Sequence, residues 1–202
     1  MRPAVALLDA GASAVPPKGH ETWGAALEVL DVYDVGRVDL ARYAAVVLQG
    51  MVDQEFLHAH RQVLSSFLDD GRVVVWSGQL FRPWLPGCGA FVPAEVRSFR
   101  DYTVRVVRHH PVFDGVDPAD LTRRKGVAGF FARGYHPPPE GAEVVLALAG
   151  GQPIVYVDRA TTAGTIFAHA GTGLLGWADP ASTAARISPQ LLAWARREGS
   201  ER

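Results

Sequence analysis

The chain has 202 residues, of which 48% are hydrophobic, and its formal net charge is −1. That size and apolar content suit one α/β domain over residues 1–202, and the near-zero charge excludes a protein held to nucleic acids or anionic membranes by overall charge. Cys88 is the only cysteine, and no segment is apolar over the length of a membrane span, so we expect a cytoplasmic protein.

Two strands and a helix are predicted ahead of residue 43. The apolar run Ala4–Asp9 predicts a buried strand that ends in a turn at Gly11. A short helix is expected to begin at His20 and to reach Leu30. The alternating pattern of Val29–Val35 then predicts a second strand nearer the edge of the sheet.

Residues 43–79 have the pattern of a strand, a helix and a second strand. The two apolar runs, 44–50 and 71–79, are continuous, which is typical of strands covered on both faces. Asp53 is expected to cap the helix and Gly71 to end it in the left-handed conformation. The length of this connection favours parallel pairing with a right-handed crossover.

The second half of the sequence combines short strands with irregular segments. Strands are predicted at Tyr102–Val107, Glu143–Leu148, Pro153–Asp158 and Thr165–Ala170. The last three are separated by few residues, so antiparallel pairing is expected. Segments 80–91 and 126–139 are rich in proline, glycine and aromatic residues and are predicted to be irregular. A final helix is expected to have Ser188 as its N-cap, Pro189 as its first residue and Gly199 at its end.

Four segments of the chain resemble one known family. They are Tyr43–Gly50, Phe67–Val75, His110–Val116 with the sequence HPVFDGV, and Gly164–Gly171. In these segments the chain is similar to the class I glutamine amidotransferase-like superfamily, and to its ThuA-like branch in particular. The resemblance implies an α/β fold: a flavodoxin-like three-layer sandwich with a mostly parallel central sheet and a few antiparallel late strands.

The sequence departs from that family where glutaminase chemistry is expected. Glutaminase members place a cysteine in a glycine-x-cysteine-x-glycine turn and a His-x-Glu pair late in the chain. Here Ser77 or Gly78 occupies the turn, and His169 is followed by Ala170 and Gly171. We therefore expect a protein that does not split glutamine and that serves as a binding or assembly protein.

A hydrolase or amidase is the alternative. A serine at such a turn can act as a nucleophile when a histidine accepts its proton and a carboxylate orients the histidine. Ser77 and His169, with Asp158 or Asp179, supply these residue types. Cys88 lies between two glycines and is a second possible nucleophile, although no base accompanies it in the sequence.

Ligand binding has a topological basis. In open α/β sheets, ligands bind outside the carboxyl ends of the strands, where the strand order reverses, here between the first and third strands. A crevice for a small polar ligand is therefore predicted around Asp9, Gly11, Gln49, Gly50, Ser77, Gly78 and Gln79.

No cofactor and no metal are predicted. His58 and His60 point to different sides of the predicted helix, and the neighbours His109 and His110 diverge, so neither pair can chelate an ion. His60 is instead expected to be a satisfied, half-buried residue. A zinc or iron site assembled from distant histidines and Asp9 is the remaining metal hypothesis.

The aromatic loops suggest a protein contact. Residues 130–136 combine Phe130, Phe131 and Tyr135 with an arginine, as is common at interfaces. Together with Phe81, Trp84 and Phe91, they make a homo-oligomer or a partner protein plausible. No basic stripe accompanies them, so nucleic-acid stacking is not expected.

Overall fold

A computed structural model describes residues 4–11 and 27–201, and strands form its centre. In chain order the strands are β1 (Ala4–Asp9), β2 (Leu27–Asp31), β3 (Tyr43–Gln49), β4 (Val73–Ser77), β5 (Val92–Pro93), β6 (Val104–Val106), β7 (Arg123–Arg124), β8 (Val127–Ala128), β9 (Gly134–Tyr135), β10 (Glu143–Leu148), β11 (Pro153–Asp158) and β12 (Thr165–His169). Eight of these strands build one sheet in the order β2-β1-β3-β4-β12-β11-β10-β6.

The sheet combines a parallel half and an antiparallel half. β2, β1, β3, β4 and β12 run parallel, whereas β11, β10 and β6 add antiparallel neighbours. β1 pairs with both β2 and β3, so the strand order reverses beside β1 as predicted. The predicted fold class, mostly parallel with late antiparallel strands, is confirmed.

Helices cover both faces of the sheet. They are α1 (Gln54–Ala59), α2 (Arg61–Asp69), α3 (Pro118–Thr122) and α4 (Ile187–Glu198). Leu57 of α1 and Leu64 and Phe67 of α2 pack on one face, beside the indoles of Trp76 and Trp84. α4 packs on the other face within a second cluster that includes Phe131, Phe167 and Trp194. The result is three layers, as the continuous apolar strands require.

The central helix is interrupted, which corrects the single helix predicted there. Asp53 caps α1 by accepting a hydrogen bond from the Phe56 amide, and Gly71 has a φ of 78°, both as predicted. His60 separates α1 from α2, and its Nδ1 lies 2.9 Å from the Phe56 carbonyl oxygen. A side chain bonded to the backbone one turn earlier competes with continuation of the helix.

Two element boundaries differ from the predictions. β2 begins at Leu27 and ends at Asp31, where a 3₁₀ turn takes over, so the predicted strand Val29–Val35 was placed too late. The helix predicted from His20 falls largely on residues outside the described part of the chain. None of the described helices is long and apolar enough to cross a lipid bilayer.

The start of the last helix also differs. Ser182 caps a 3₁₀ turn over Thr183–Arg186, and α4 continues directly from that turn at Ile187. Ser188 is therefore not the N-cap, and its hydroxyl donates instead to the Leu174 carbonyl at 3.1 Å. Gly199 ends α4 as predicted.

Gln54 holds the irregular segment that follows β4. Its side chain is buried, Nε2 donates to the Gln79 carbonyl at 2.8 Å, and Oε1 accepts from the Phe81 amide at 3.0 Å. The Trp84 indole N–H reaches the same oxygen at 3.4 Å. One amide side chain thus satisfies several backbone and side-chain groups that would otherwise be buried without partners.

Replacing Gln54 with leucine should therefore destabilise the protein. Gln54→Leu keeps the side-chain size but leaves three backbone groups and an indole N–H unpaired, so the free energy of unfolding should fall by about 2–3 kcal/mol. Urea denaturation measures this change. The matched control is Gln62→Leu at an exposed position of α2, which should change stability by less than about 0.5 kcal/mol. Equal effects of the two variants would contradict the role given to Gln54.

Candidate functional site

The carboxyl ends of three parallel strands meet in one row. Gln49 of β3 pairs with Ser77 of β4, and Ser77 pairs with His169 of β12. Paired residues of parallel strands point to the same face, so these three side chains lie on the face covered by α4. Asp9 ends β1 one position after the pair Leu8–Leu48, which places it at the same edge.

A cleft of about 380 Å³ opens above this row. Its lining consists of Gly50, Met51, Gly78, Gln79, Gly129, Phe130, Ala132, Arg133, Ala170, Gly171 and Thr172. Three predicted ligand residues, Gly50, Gly78 and Gln79, are among them. The lining is otherwise mostly apolar or small, and Arg133 is its one charged residue within residues 4–11 and 27–201.

The other four predicted ligand residues do not line the cleft. Asp9 accepts a hydrogen bond from the Gly11 amide at 3.2 Å, so the two form a local turn at the end of β1. Gln49 Oε1 accepts from the Leu175 amide at 3.3 Å and supports the loop after β12. Ser77 is buried beneath the cleft, with 1% of its surface exposed.

The glycine amides at the cleft are already bonded. The Gly50 amide donates to the Ser77 carbonyl at 2.8 Å, and the Gly78 amide donates to the His169 carbonyl at 3.0 Å. These two N–H groups are therefore not free to donate to a ligand. They join β3, β4 and β12 at their ends and fix the floor of the cleft.

Residues 130–132, called the strap below, cross the cleft although they are distant in sequence from β3 and β4. Ala132 forms an antiparallel bridge with Gly171, and the Thr172 hydroxyl donates to the Phe130 carbonyl at 2.6 Å. A Cβ at position 171 would lie 1.7 Å from the Phe131 carbonyl oxygen, so only glycine permits this approach. The strap places Phe131 over His169, with their ring centres 4.4 Å apart.

Ser77 and His169 do not form a catalytic pair in this arrangement. Within the described residues, neither Ser77 Oγ nor either nitrogen of His169 has a hydrogen-bond partner. Both side chains are buried, and burial lowers the pKa of His169 to about 3 against the opposing influence of the Phe131 carbonyl. The hydrolase alternative thus gains no support from the geometry and stays a hypothesis.

The two carboxylates considered for a triad are occupied elsewhere. Asp158 Oδ1 accepts from the amides of Ala160 and Thr161, and Asp158 pairs with Ile166, three residues before His169 on β12. Asp179 Oδ1 accepts from the Ala181 amide at 3.0 Å. Neither carboxylate orients His169.

Sequence reasoning missed the supporting role of His136 and treated it as part of the loop 130–136 and as one of the distant histidines. Its Nε2 lies 2.9 Å from the Gly78 carbonyl oxygen, and its Nδ1 lies 3.0 Å from that of Gly89. A neutral imidazole has one N–H, so it donates to one of the two carbonyls at a time. Burial lowers the pKa of His136, although both carbonyls oppose this by favouring the charged ring. His136 thus ties the bend after β4 to the segment that follows it.

The described residues contain no set of metal ligands. Over residues 4–11 and 27–201, no group of three histidine, cysteine, aspartate or glutamate side chains could hold an ion. His60 stacks on Phe56 with ring centres 4.0 Å apart, which fits the satisfied, half-buried role predicted for it. His109 pairs with Asp114 on the surface, while His110 packs against Trp194.

Two solved structures resemble the chain. A glutamine amidotransferase from Thermotoga maritima aligns over 98% of this chain and 96% of its own, with a TM-score of 0.58 and 14% identity. A cytoplasmic protein from Salmonella typhimurium aligns over 86% of this chain and 82% of its own, with a TM-score of 0.52 and 12% identity. No protein-family model and no curated protein sequence matches. The chain has a glutamine amidotransferase-like fold.

In this glutamine amidotransferase-like fold, an indole occupies the position where a nucleophile side chain would project. A Cβ at Gly78 would lie 2.5 Å from Cη2 and Cζ2 of Trp76. That indole is fully buried and packs edge-on against Trp84, so it cannot easily move aside. Neither Ser77 nor Gly78 has a positive φ, and no helix follows directly. The strained turn from strand to helix that exposes a nucleophile is therefore not formed after β4.

Cys88 does not replace the missing nucleophile. It packs in the cluster on the α1 and α2 face, whereas His169 contacts Phe131 of the opposite cluster. Burial is the main cause that raises the pKa of the thiol to about 12, Asp158 contributes to the rise, and the Tyr156 hydroxyl opposes it. A thiol that stays protonated at neutral pH is a poor nucleophile.

Adding a side chain at position 78 should destabilise the protein. Gly78→Cys overlaps the Trp76 indole and should lower the free energy of unfolding by about 1–3 kcal/mol. The matched control is Gly176→Cys, because a Cβ there meets nothing within 4 Å and Gly176 has no positive φ. Urea denaturation under reducing conditions compares the two. A Gly78→Cys variant as stable as the control would contradict the packing argument.

The buried histidines predict loss of stability in acid. Burial lowers the pKa of His110 to about 4 and that of His169 to about 3, from about 6.5 in the unfolded chain. Between pH 6.5 and 4 the unfolded state therefore binds protons at these histidines that the folded state does not bind. Stability should be complete above pH 6.5 and should fall with pH by up to about 1.4 kcal/mol per unit for each histidine.

Urea denaturation between pH 7.5 and 4.5 measures this slope. His169→Gln should reduce it, whereas Gln62→Leu, at an exposed position of α2, should leave it unchanged. A free energy of unfolding that does not change with pH in this range would refute the assignment.

Proposed function

We propose that the protein binds a small ligand carrying a carboxylate in the cleft at the carboxyl ends of β3, β4 and β12. The observation that carries the proposal is the cleft itself, with Arg133 as the one charged residue that lines it in the described part of the chain. An apolar pocket with few convergent polar groups is the usual form of a small-molecule site. Gln79 and Thr172 supply further polar groups at its wall.

The fixed position of Arg133 supports an anion as ligand. Its Nε donates to the Gly129 carbonyl at 3.0 Å, which orients the guanidinium and leaves the terminal nitrogens for a ligand. No ion pair within 4.0 Å engages Arg133 among the described residues. A planar guanidinium matches the two oxygens of a carboxylate, so the cleft favours this group over a neutral polar ligand.

A binding role fits the missing glutaminase chemistry. The resemblance to the ThuA-like branch, through His110–Val116, is part of the proposal. His110 caps the turn Pro111–Phe113 by accepting from the Val112 amide, so this motif has a defined structural role. We also propose a cytoplasmic location, in line with the single cysteine and with the name of the Salmonella typhimurium protein.

A contact with a partner protein or a second copy is the second part of the proposal. Met51 and Phe130 stand at the mouth of the cleft with 86% and 41% of their surface exposed, and Phe81 is 64% exposed. Phe131 and Trp84 of the same loops are buried and belong to the core. The aromatic loops thus divide between core packing and surface, and only their exposed members are available to a partner.

Arg133→Gln tests the ligand class. Nuclear magnetic resonance titration of the wild type with acetate, malonate and succinate should shift signals of Gly171 and Thr172, and the matched amides should not. Arg133→Gln should weaken carboxylate binding about tenfold because a charge-assisted hydrogen bond is lost. Arg97→Gln, at an exposed arginine outside the cleft lining, is the control and should bind as the wild type does.

Ser77→Ala separates binding from catalysis. It should retain carboxylate binding, and the wild type should not turn over 4-nitrophenyl acetate. Turnover that disappears in Ser77→Ala would establish the hydrolase alternative instead. Carboxylates that bind equally to Arg133→Gln would refute the proposed ligand class.

A further inference from the structure

A second cavity, about 290 Å³ in volume, shares no lining residue with the cleft. Three consecutive basic residues of the hairpin β7–β8, Arg123, Arg124 and Lys125, form one wall. The opposite wall comes from residues 177–184, beginning with Trp177. The cavity therefore brings a cluster of positive charge to an aromatic ring.

The hairpin turn contains a residue that the turn does not favour. Lys125 has a φ of 51° and Gly126 a φ of 80°, and these two residues connect β7 to β8. Two positive φ angles define a type I′ turn, in which asparagine or glycine is preferred at the first position. Lys125 is the one non-glycine residue with positive φ in the described parts of the chain. A residue type that is unfavourable for its backbone conformation often has a functional role.

The two arginine side chains are held in place without a counter-ion. Arg124 lies over the Trp177 ring at 5.0 Å, and its Nη2 donates to the Gly176 carbonyl at 3.2 Å. Arg123 lies over the Phe99 ring at 5.7 Å. Within the described residues, none of the three cations forms an ion pair within 4.0 Å.

Two carboxylates also line the cavity, but the backbone already holds them. Asp120 accepts hydrogen bonds from the amide and hydroxyl of Thr183, which lower its pKa and keep it ionised. Asp179 accepts from the Ala181 amide. Counted over the described residues, the lining thus has three cations and two anions, so one positive charge remains in excess.

The buried indole of Trp177 adds an unsatisfied donor. Trp177 is 4% exposed, and its Nε1 has no acceptor among the described residues. Buried donors without partners are rare in native proteins, and a bound acceptor is one way to satisfy them.

We propose that this cavity is a second binding site, specific for a phosphate group, with Lys125 and Arg124 as its ligands. A phosphate carries close to two negative charges and several acceptor oxygens, so it can neutralise both cations at once, whereas a carboxylate carries one charge. Lys125 contributes a mobile point charge, and Arg124 contributes an oriented fork beside the indole.

Lys125→Asn provides the decisive test, because binding and stability should change in opposite directions. Asparagine suits the type I′ turn, so Tm should rise by about 2 °C. Loss of one charged donor should weaken binding of inorganic phosphate about tenfold. The indole N–H signal of Trp177, identified with Trp177→Phe, reports binding in a titration at low ionic strength.

Three controls give each outcome a meaning. Arg105→Gln, on β6 and outside the cavity lining, should bind phosphate like the wild type, and so should Arg133→Gln, which separates this site from the cleft. Acetate at matched ionic strength should not saturate the signal. The site is refuted if phosphate causes no saturable shift, if acetate matches it, or if Lys125→Asn leaves the affinity unchanged.

Discussion

The parallel register of β3, β4 and β12 is the constraint on which the rest of the molecule depends. Because Gln49, Ser77 and His169 are direct neighbours, the three strands end together and their last side chains share one face. The amides of Gly50 and Gly78 then continue the pairing beyond the strand ends. A shift of any strand by one residue would turn its polar end to the opposite face and remove the floor of the cleft.

The cleft combines residues near the strand ends with residues that are distant in sequence, and this explains which of its residues could be predicted. Continuous apolar runs specified β1 within its observed bounds and located β3 and β4, since strands buried on both faces tolerate few polar residues. The topological rule for open sheets then pointed to Gly50, Gly78 and Gln79. Arg133 was recognised only as part of an aromatic loop. Its position depends on the bridge between Ala132 and Gly171, and no local pattern encodes a contact between residues so far apart.

The missed boundaries have equally specific causes. Ser188-Pro189 is a good helix start in isolation, yet the 3₁₀ turn that Ser182 caps leads directly into α4. His60 interrupts a strongly amphipathic segment without any glycine or proline, through a side-chain contact that a sequence pattern does not reveal. Trp76 is apolar at a buried strand position, as expected, but the space that its indole occupies beside Gly78 depends on packing against Trp84.

The last strand of the sheet shows how the protein limits its own association. β6 is the end strand among the described residues, and it is only three residues long with Arg105 at its centre. Its first amide already donates to the Thr122 hydroxyl at 2.9 Å. An incoming strand would have to displace that bond and bury an arginine in exchange for very few new ladder contacts. Growth of the sheet into a fibril by edge-to-edge addition is therefore disfavoured at this side, although Val106 and Val107 are exposed there.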